Sequence, residues 1–362
     1  MSGPLKGLEV IEMAGIGPGP LAGQLLADLG ADVIVIDRAE APADKTDVNR
    51  RGKRSVCLDL KSEEGHRTAQ ALINRAGIVI EGFRPGVMER LGLGPDDLDD
   101  SVIFGRITGW GQEGPLSHSA GHDINYLGLT GALAAMGQVE NPPPPPLNLI
   151  ADYGGGTMFL LLGILAAVFE RQTSGKGQVV DAAMVDGVSA MMGLFHTFKA
   201  RGEWNENRAS NLLDGGAPFY RCYRTKDDLF MSVGPLEPQF FAVLLEKAAL
   251  PAEHGKDQND PANWADRAEL YAQAFARRTQ AEWSEIFEGT DACVAPVLSM
   301  TDAASHPHMA ARKTLVEVDG VLQAAPAPRF SRSTSPEINT PRAIGGDTAA
   351  IREELGEHSK AV

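Results

Sequence analysis

The sequence predicts an α/β protein built around a mostly parallel sheet, and the start of the chain shows why. Residues 8–13 have the pattern of a short strand, a glycine- and proline-rich turn occupies residues 15–20, and residues 21–29 have helical spacing that ends before Gly30. Residues 32–37 are a continuous apolar run rich in β-branched side chains, which is typical of a strand buried on both faces. A strand–helix–strand unit of this length implies parallel pairing with a right-handed crossover.

The same alternation continues along the chain. The pattern predicts a helix over residues 65–76, strands over 78–80 and 102–104, and an apolar helix that ends near Arg171. A run of five prolines at residues 142–146 predicts an extended polyproline II segment at the surface. No internal repeat is visible, so the fold is not a solenoid.

Length and composition favour two domains. A chain of 362 residues exceeds the usual size of one compact core. Residues 205–216 are polar and glycine-rich, which suits a connection between domains, and residues 220–297 have a more polar mixture of helix and strand patterns. The proline- and serine-rich tail from residue 326 onward is expected to wrap over a surface.

Charge and cysteine content exclude several classes of protein. The formal net charge of −15 argues against a nucleic-acid partner or an anionic membrane surface. The three cysteines lack CxxC spacing, so neither a zinc site nor a disulfide framework is predicted. The amino terminus lacks the pattern of a signal or transit peptide. The apolar stretch 158–169 is short for a bilayer span and indicates a buried helix. We therefore expect a cytoplasmic protein without a membrane partner.

A dinucleotide site is the first functional alternative that the sequence raises. Three glycines between residues 15 and 19 follow a strand and precede a helix, and Asp37 ends the second strand, where a ribose-binding acid is expected. The third position of the fingerprint, however, is Pro20, and prolines remove the amides that a pyrophosphate needs. A tight turn within an α/β sheet is the preferred interpretation.

Three ionisable residues are candidates for acid–base chemistry. His122 carries an imidazole whose free pKa lies near neutrality, which suits proton transfer, although a structural histidine is the alternative. Asp152 precedes a glycine triplet that would let a ligand approach the backbone, and its alternative role is to cap the following helix. Glu237 precedes Pro238, a helix-start signature, so capping is again the alternative.

Many segments match one family, in order and along nearly the whole chain, although each alone is weak. The matching segments are residues 12–20, 37–38, 59–61, 81–86, 89–94, 108–112, 121–126, 152–156, 174–178, 213–218, 237–240 and 327–330. On these motifs the sequence resembles the α-methylacyl-CoA racemases, a family within the family III CoA-transferase superfamily.

The resemblance implies a large Rossmann-like parallel-sheet domain and a smaller α+β domain, assembled as an interlocked homodimer. The large domain would comprise residues 1–180 together with 320–362 and the small domain residues 224–308, with linkers at 181–223 and 309–319. In similar proteins the active site lies between the large domain of one subunit and the small domain of the other. Glu237 would then reach His122 across the subunit interface.

The resemblance also implies racemisation of 2-methylacyl-CoA thioesters by a 1,1-proton transfer through an enolate. One of His122 and Asp152 removes the α-proton and the other reprotonates the opposite face. Glu237 orients His122, and Asp123 belongs to the same catalytic set. The thioester itself acidifies the α-proton, so no metal and no cofactor are expected, and CoA enters as part of the substrate.

Further residues are implied to bind the substrate. Arg38 and the basic cluster at residues 50–54 are candidates for the CoA phosphates, although a charge run of this kind is often only solvated. The implied CoA-binding set is Arg38, Arg54, Leu58, Asp59, Leu60, Lys61, Gly82, Phe83, Arg84, Pro85, Gly86, Val87, Arg90, Gly121, Ile124, Asn125 and Tyr126. The acyl chain would lie on Met184, Met191 and Met192, for which packing in a helix core is the alternative.

Two other functions stay open at this point. A CoA-transferase of the same superfamily would use Asp152 as a nucleophile and would not need His122. A non-catalytic acyl-CoA-binding protein would keep the fold, but it would have no reason to retain His122, Asp152 and Glu237 together. The acyl group itself is open among branched fatty acids, steroid side chains and aryl-propionates.

Overall fold

The computed structural model describes residues 3–356, which divide into two compact units. The first unit comprises residues up to 130, residues 146–191 and the chain from 307 onward, and the second comprises 131–145 and 192–306. The expected linker 181–223 is wrong at its amino-terminal end. Its first residues end a strand that is hydrogen-bonded into the sheet of the first unit, and a helix follows them directly.

A six-stranded parallel sheet forms the centre of the first unit, which confirms the predicted α/β class. Its strands run in the order β3-β2-β1-β4-β5-β6, and every neighbouring pair is parallel. The strands are β1 (Glu9–Met13), β2 (Asp32–Asp37), β3 (Arg54–Cys57), β4 (Ile78–Glu81), β5 (Ile103–Thr108) and β6 (Val179–Ala183). The order reverses between β1 and β4, which is the topological switch point of a doubly wound sheet.

Helices cover both faces of this sheet. Those of the first unit are α1 (Pro18–Asp28), α2 (Glu63–Ala76), α3 (Val87–Arg90), α4 (Asp123–Leu129), a π-helical segment (Leu149–Met158) that continues into α5 (Phe159–Ser174), α6 (Met184–Met191), α12 (Pro307–Arg312) and α13 (Thr348–Glu354). A buried cluster that includes Ile34, Leu72 and Phe104 joins α2 to the sheet. Short 3₁₀ helices in this unit lie at Val48–Arg50 and Pro95–Asp97.

Predicted and observed elements differ mainly at their ends. Helix α1 begins at Pro18, three positions before the predicted start at residue 21, because a proline at the first turn loses no helical hydrogen bond and Gly17 supplies the left-handed φ of 71° before it. Strands β3 and β6 were not predicted. They are the two edge strands, and charged side chains interrupt the apolar pattern of both, at Arg54 and at Asp181.

The long apolar helix corrects two expectations. It starts at Leu149 rather than near Met158, so the helix Leu149–Ser174 has 26 residues and is long and apolar enough to cross a membrane. Among residues 3–356 it is the one helix that passes this test, which is weak support for a membrane span because core helices of soluble proteins pass it too. The helix is also not fully buried, since Leu162 is 64% and Phe169 is 75% exposed.

The second unit is built on a three-stranded antiparallel sheet with helices around it, and both helices and strands occur within residues 220–297, as the mixed pattern there indicated. Its strands are β7 (Arg221–Arg224), β8 (Phe230–Val233) and β9 (Val294–Pro296), in that order. Its helices are α7 (Gly193–Ala200), α8 (Pro238–Lys247), α9 (Trp264–Phe275), α10 (Gln280–Phe287) and α11 (Met300–Ser305), with 3₁₀ turns at Leu133–Ala135, Ala252–Asp257 and Pro261–Asn263. Aromatic side chains fill its core, among them Phe219, Tyr271 and Phe275.

The carboxy-terminal tail returns to the sheet of the first unit. A hairpin of β10 (Leu315–Val318) and β11 (Val321–Ala324) precedes a long segment without regular structure. The backbone N–H of Gly345 then donates to the hydroxyl of Ser55 on β3 at 2.7 Å, and the carboxylate of Asp347 accepts from the Ser55 N–H at 3.1 Å. The tail therefore lies against the edge strand β3, whereas its composition predicted only that it wraps over a surface.

Candidate active site at the carboxyl edge of the sheet

A cavity of about 520 Å³ opens at the switch point of the sheet, and every part of its wall belongs to the first unit. Its walls are the segments that follow β1, β4 and β5, together with the start of α4, one residue of the π-helical segment and Met184. Parallel sheets bind ligands at the carboxyl ends of their strands, where the order reverses. The cavity therefore lies where this topology places a ligand site.

Nine of the predicted site residues line this cavity. They are Gly82, Phe83, Arg84, Pro85, Gly121, His122, Tyr126, Asp152 and Met184. A shallower cleft of about 480 Å³ contains three more, Leu60, Lys61 and Arg90, beside the start of α2. Leu58, Asp59, Gly86, Val87, Ile124 and Asn125 adjoin these lining residues in sequence, and Arg38 follows β2 at the same edge of the sheet.

His122 is held at the start of helix α4. Its backbone N–H donates to Oδ1 of Asn125 at 3.1 Å, and its carbonyl oxygen accepts from the N–H groups of Asn125 and Tyr126. The residue is exposed and lines the cavity. The backbone of His122 thus starts the helix, while its side chain makes no cap hydrogen bond and belongs to the cavity wall.

Asp152 lies inside the helix rather than at its end. The π-helical segment begins at Leu149, with Asn148 before it, so the alternative role of Asp152 as a helix cap is wrong. The N–H of Tyr153 bonds the carbonyl oxygen of Asn148 at 3.3 Å, the i to i−5 pattern of a π-helix, a geometry that recurs at functional sites. The side chain is half-buried in the cavity wall.

Burial and three neighbouring residues set the pKa of the Asp152 carboxyl. Burial raises the pKa of its carboxyl, and the negative charge of Asp123 raises it further. The Asn148 amide, whose nitrogen lies 3.4 Å from Oδ2 of Asp152, and the charge of His122 act in the opposite direction, but the net pKa is raised. A carboxyl of this kind is better suited to hold and return a proton than an ordinary surface aspartate.

Asp123 fixes the backbone that carries Asp152. The side chain of Asp123 is buried, and its Oδ2 accepts from the N–H of Ala151 at 2.9 Å and from the N–H of Asp152 at 2.8 Å. These two amides lie in the first turn of the helix, where they have no helical partner. Asp123, the first residue of α4 and the neighbour of His122, therefore connects this helix to the segment that carries Asp152.

Close packing against α6 explains the glycine triplet at residues 154–156. A Cβ on Gly155 would lie 2.8 Å from the carbonyl oxygen of Met184, and a Cβ on Gly187 would overlap the carbonyl oxygen of Gly155. The two helices approach this closely only because both positions are glycine. Met184 then reaches the cavity wall, and Met191 lies beside Gly154 with 44% of its surface exposed.

Two predicted site residues belong to the second unit. Glu237 precedes α8, and its carbonyl oxygen accepts from the N–H groups of Phe240 and Phe241. Its carboxylate makes no hydrogen bond to the helix and is exposed, so side-chain capping is not its role. Met192 precedes α7 and is partly buried.

The basic cluster at residues 50–54 is paired with carboxylates rather than free. The pairs are Arg50 with Asp37, Arg51 with Asp28, Lys53 with Glu12, and Arg54 with both Asp32 and Glu354, at N–O distances of 2.6 to 2.7 Å. Arg51 and Lys53 are also 2% and 3% exposed, so their side chains lie inside the first unit rather than on a surface that a phosphate could reach. The expectation that this cluster forms a phosphate-binding patch is therefore corrected.

Arg54 also lies at the edge of the sheet opposite the cavity, which does not suit its expected role in binding CoA. It begins β3, so it lies at the amino edge, whereas the cavity lies at the carboxyl edge. Arg38 follows the last residue of β2, at the carboxyl edge, and its exposed guanidinium forms no ion pair among residues 3–356. Of the two arginines, Arg38 is the one whose position fits a CoA phosphate.

The turn after β1, for which the sequence favours a purely structural role, also belongs to the cavity wall. Gly15 to Pro20 all line the cavity, and Ile16 within this turn is 90% exposed. The sequence could have predicted this position. In a parallel sheet, a glycine-rich turn at the carboxyl end of the first strand lies at the edge where ligands bind. Among residues 3–356, no group of three or more His, Cys, Asp or Glu side chains is arranged to hold a metal ion.

Comparison with known proteins gives one consistent family. A model described as CoA-transferase family III matches residues 5–348. Alpha-methylacyl-CoA racemase of Mus musculus is 42% identical over 97% of this chain and 93% of its own length, and the protein of the same name from Homo sapiens is 41% identical with the same coverage. A CAIB/BAIF family protein from Brucella suis has a TM-score of 0.79 at 26% identity, covering 98% of this chain and 100% of its own. These similarities confirm the family resemblance that the motifs predicted.

Proposed function

Because this chain belongs to CoA-transferase family III, we propose that it is a racemase that interconverts (2R)- and (2S)-2-methylacyl-CoA thioesters. One observation carries the proposal: His122 and Asp152 line the same cavity at the switch point of the sheet. A 1,1-proton transfer needs two groups, one to accept a proton and one to supply a proton. An imidazole and a carboxyl of raised pKa are suited to these roles.

The reaction moves protons only. In one direction, the first base takes the α-proton, and the electron pair of the C–H bond passes into the thioester carbonyl as an enolate. The second group then gives its own proton to the opposite face of the α-carbon, and the thioester is restored with inverted configuration. Backbone amides near Asp123 and Gly154 are our candidates for stabilising the enolate oxygen.

Recognition of the substrate is assigned to the carboxyl edge of the sheet. The CoA moiety would lie along residues 82–85 in the cavity and along the cleft with Lys61 and Arg90, and Arg38 would meet a phosphate. The acyl chain would contact Met184 and Met191, whose flexible thioethers adapt to different chains. We also propose a homodimer in the cytoplasm that binds neither nucleic acid nor membrane, uses no cofactor, and places Glu237 of one subunit at His122 of the other.

A CoA-transferase is the second candidate, and His122 is the observation against it. In a transferase, the Asp152 carboxylate would attack the thioester carbonyl, expel CoA as a thiolate and form an acyl-aspartyl anhydride. That chemistry needs an exposed carboxylate but no imidazole beside it. The raised pKa of Asp152 also lowers the fraction of the carboxylate nucleophile at a given pH.

Two assays on the same preparation separate these functions. The first incubates (2R)-2-methylacyl-CoA in heavy water and follows the configuration and mass of the recovered acyl group. A racemase yields both enantiomers with one deuterium at the α-carbon. The second mixes the thioester with a labelled free 2-methyl acid and follows the label in the CoA ester. Label transfer without inversion or deuterium uptake would establish the transferase and reject the racemase.

A further inference from the structure

The buried carboxylate of Glu81 immediately precedes residues 82–85, which line the cavity. Glu81 is the last residue of β4, at the switch point, and is 3% exposed. Its Oε2 accepts from the backbone N–H of Phe83 at 2.7 Å. Phe83 lies within residues 82–85, a segment that lines the same cavity as His122. The side chain of Glu81 thus fixes the first turn of the chain after the strand.

Arg106 is the charged partner of Glu81, but it is shared. Its Nε lies 3.5 Å from Oε1 of Glu81 and makes no hydrogen bond in the part of the chain that the structure describes. Its two terminal nitrogens are used elsewhere: one donates to Gln112 at 3.0 Å and the other to the carboxylate of Glu89. Glu81 therefore has one strong hydrogen bond, to Phe83, and one weak ion pair.

We propose that Glu81 is a positioning residue, whose ionised carboxylate holds residues 82–87 in the conformation that binds the CoA thioester. This inference rests on the proposed function, because it takes residues 82–87 as part of the CoA site. Hydrogen bonds to a charged acceptor are about twice as strong as those to a neutral one. Protonation of Glu81 therefore weakens both contacts at once and releases the segment.

Burial and the neighbouring charges bring the protonation of Glu81 into the physiological pH range. Burial raises the pKa of Glu81 to about 7, and the carboxylates of Glu89 on α3 and Asp181 on β6 raise it as well. The Phe83 N–H and Arg106 on β5 act in the opposite direction. Because the ionised form holds the segment, the affinity for CoA falls as the pH drops through about 7 and is fully present above it.

The test measures binding of CoA itself by calorimetry between pH 5.5 and 8.5, which requires no racemase activity. Wild-type affinity is expected to fall below pH 7. Glu81→Gln cannot ionise at this position, so its affinity at pH 8 is expected to be roughly tenfold lower, equivalent to about 1.4 kcal/mol, and to lack the transition at about pH 7. The titration of the CoA phosphate at about pH 6 affects the wild type and the variant alike. KM for the thioester should rise in parallel while kcat at saturation changes little, because His122 and Asp152 are untouched.

Glu89→Gln is the matched variant on the same arginine. Glu89 is exposed and contacts Arg106, but it makes no bond to Phe83. Glu89→Gln removes a charge that raises the pKa of Glu81 and leaves Arg106 free to pair with Glu81. CoA affinity at pH 8 should therefore be kept, and the midpoint of the pH dependence of CoA affinity should move to lower pH. This variant tests the proposal even if Glu81→Gln does not fold.

Three results would overturn the proposal. They are a wild-type affinity for CoA that does not depend on pH between 6 and 8, a Glu81→Gln protein that keeps the wild-type pH dependence, and an unchanged midpoint in Glu89→Gln. Failure of the racemase assignment gives a different result: CoA affinity would follow the expected pattern while no inversion of 2-methylacyl-CoA is detected.

Discussion

At the scale of single residues, Asp123 links the two groups assigned to proton transfer. Its Oδ2 accepts two amides of the segment that carries Asp152, and its charge raises the pKa of the Asp152 carboxyl. Asp123→Asn keeps an oxygen that can accept these amides but removes the charge. The pKa of Asp152 then falls, so the acid limb of the rate profile is expected to shift to lower pH. The racemisation rate of both proteins is measured from pH 4.5 to 8. If the acid limb does not shift in Asp123→Asn, the pKa of Asp152 does not determine that limb.

Arg38 is the residue on which the assignment of the phosphate site depends. Its exposed guanidinium lies at the carboxyl edge of the sheet and has no carboxylate partner among the described residues. Arg38→Ala is expected to raise KM roughly tenfold or more with little change in kcat, because a charge-assisted hydrogen bond contributes about 1.5–3 kcal/mol. The wild-type KM should also rise with salt.

Arg75 in the last turn of α2 provides the control for this measurement. It is exposed, pairs with Glu9 at the amino end of β1, and lines neither the cavity nor the cleft assigned to CoA. Arg75→Ala should leave KM and its salt dependence unchanged. Equal effects of the two substitutions would mean that general charge, rather than a phosphate contact at Arg38, determines affinity.

At the scale of elements, the sequence predicts strands and helices well where propensity and packing agree, as in β1, β2 and α2. It fails for the helix that carries Asp152. Residues 149–157 include an aspartate, a tyrosine and three glycines, which favour a turn on propensity alone. Tertiary contacts override that preference, because Asp123 satisfies the amides of the first turn and the glycines let α6 approach. No local pattern records those contacts.

Because α6 and the π-helical segment approach so closely, we predict that a larger residue between them lowers stability. Gly187→Ala places a methyl group against the backbone of Gly155, so the two helices must separate. Overpacking of this kind costs about 1–3 kcal/mol, so the melting temperature should fall and racemisation should weaken as Asp152 moves. Gly128→Ala on α4, where a Cβ would meet nothing within 4 Å, should leave the melting temperature unchanged or slightly raised. A Gly187→Ala protein as stable as wild type would contradict the packing described here.

At the scale of the whole molecule, the motifs gave the family and the α/β class, but not the division of the chain. Residues 131–145 belong to the second unit although they precede α5 of the first unit. This interleaving arises from contacts between distant segments, which periodicity does not report. The same holds for the basic cluster at 50–54, whose partners Glu12, Asp28 and Glu354 lie far away in sequence.

The proposed shared site makes a prediction about the assembly. If Glu237 of one subunit orients His122 of the other, His122→Ala and Glu237→Ala homodimers should both be nearly inactive. Mixed and refolded together, the two variants should regain up to about half of the wild-type activity per heterodimer, since one of its two sites is intact. Light scattering should show a dimer throughout. An active monomer, or no recovery on mixing, would contradict the shared site.

The central claim is that His122 and Asp152 serve opposite faces of the α-carbon, and single-enantiomer exchange in heavy water tests it most directly. With Asp152→Asn, His122 should still exchange the α-proton of one enantiomer of 2-methylacyl-CoA, whereas His122→Ala should exchange only the other. Neither variant should invert configuration, because inversion needs both groups, and loss of one base costs about 10²–10⁴ in rate. A His122→Ala protein that racemises at the wild-type rate would contradict the account.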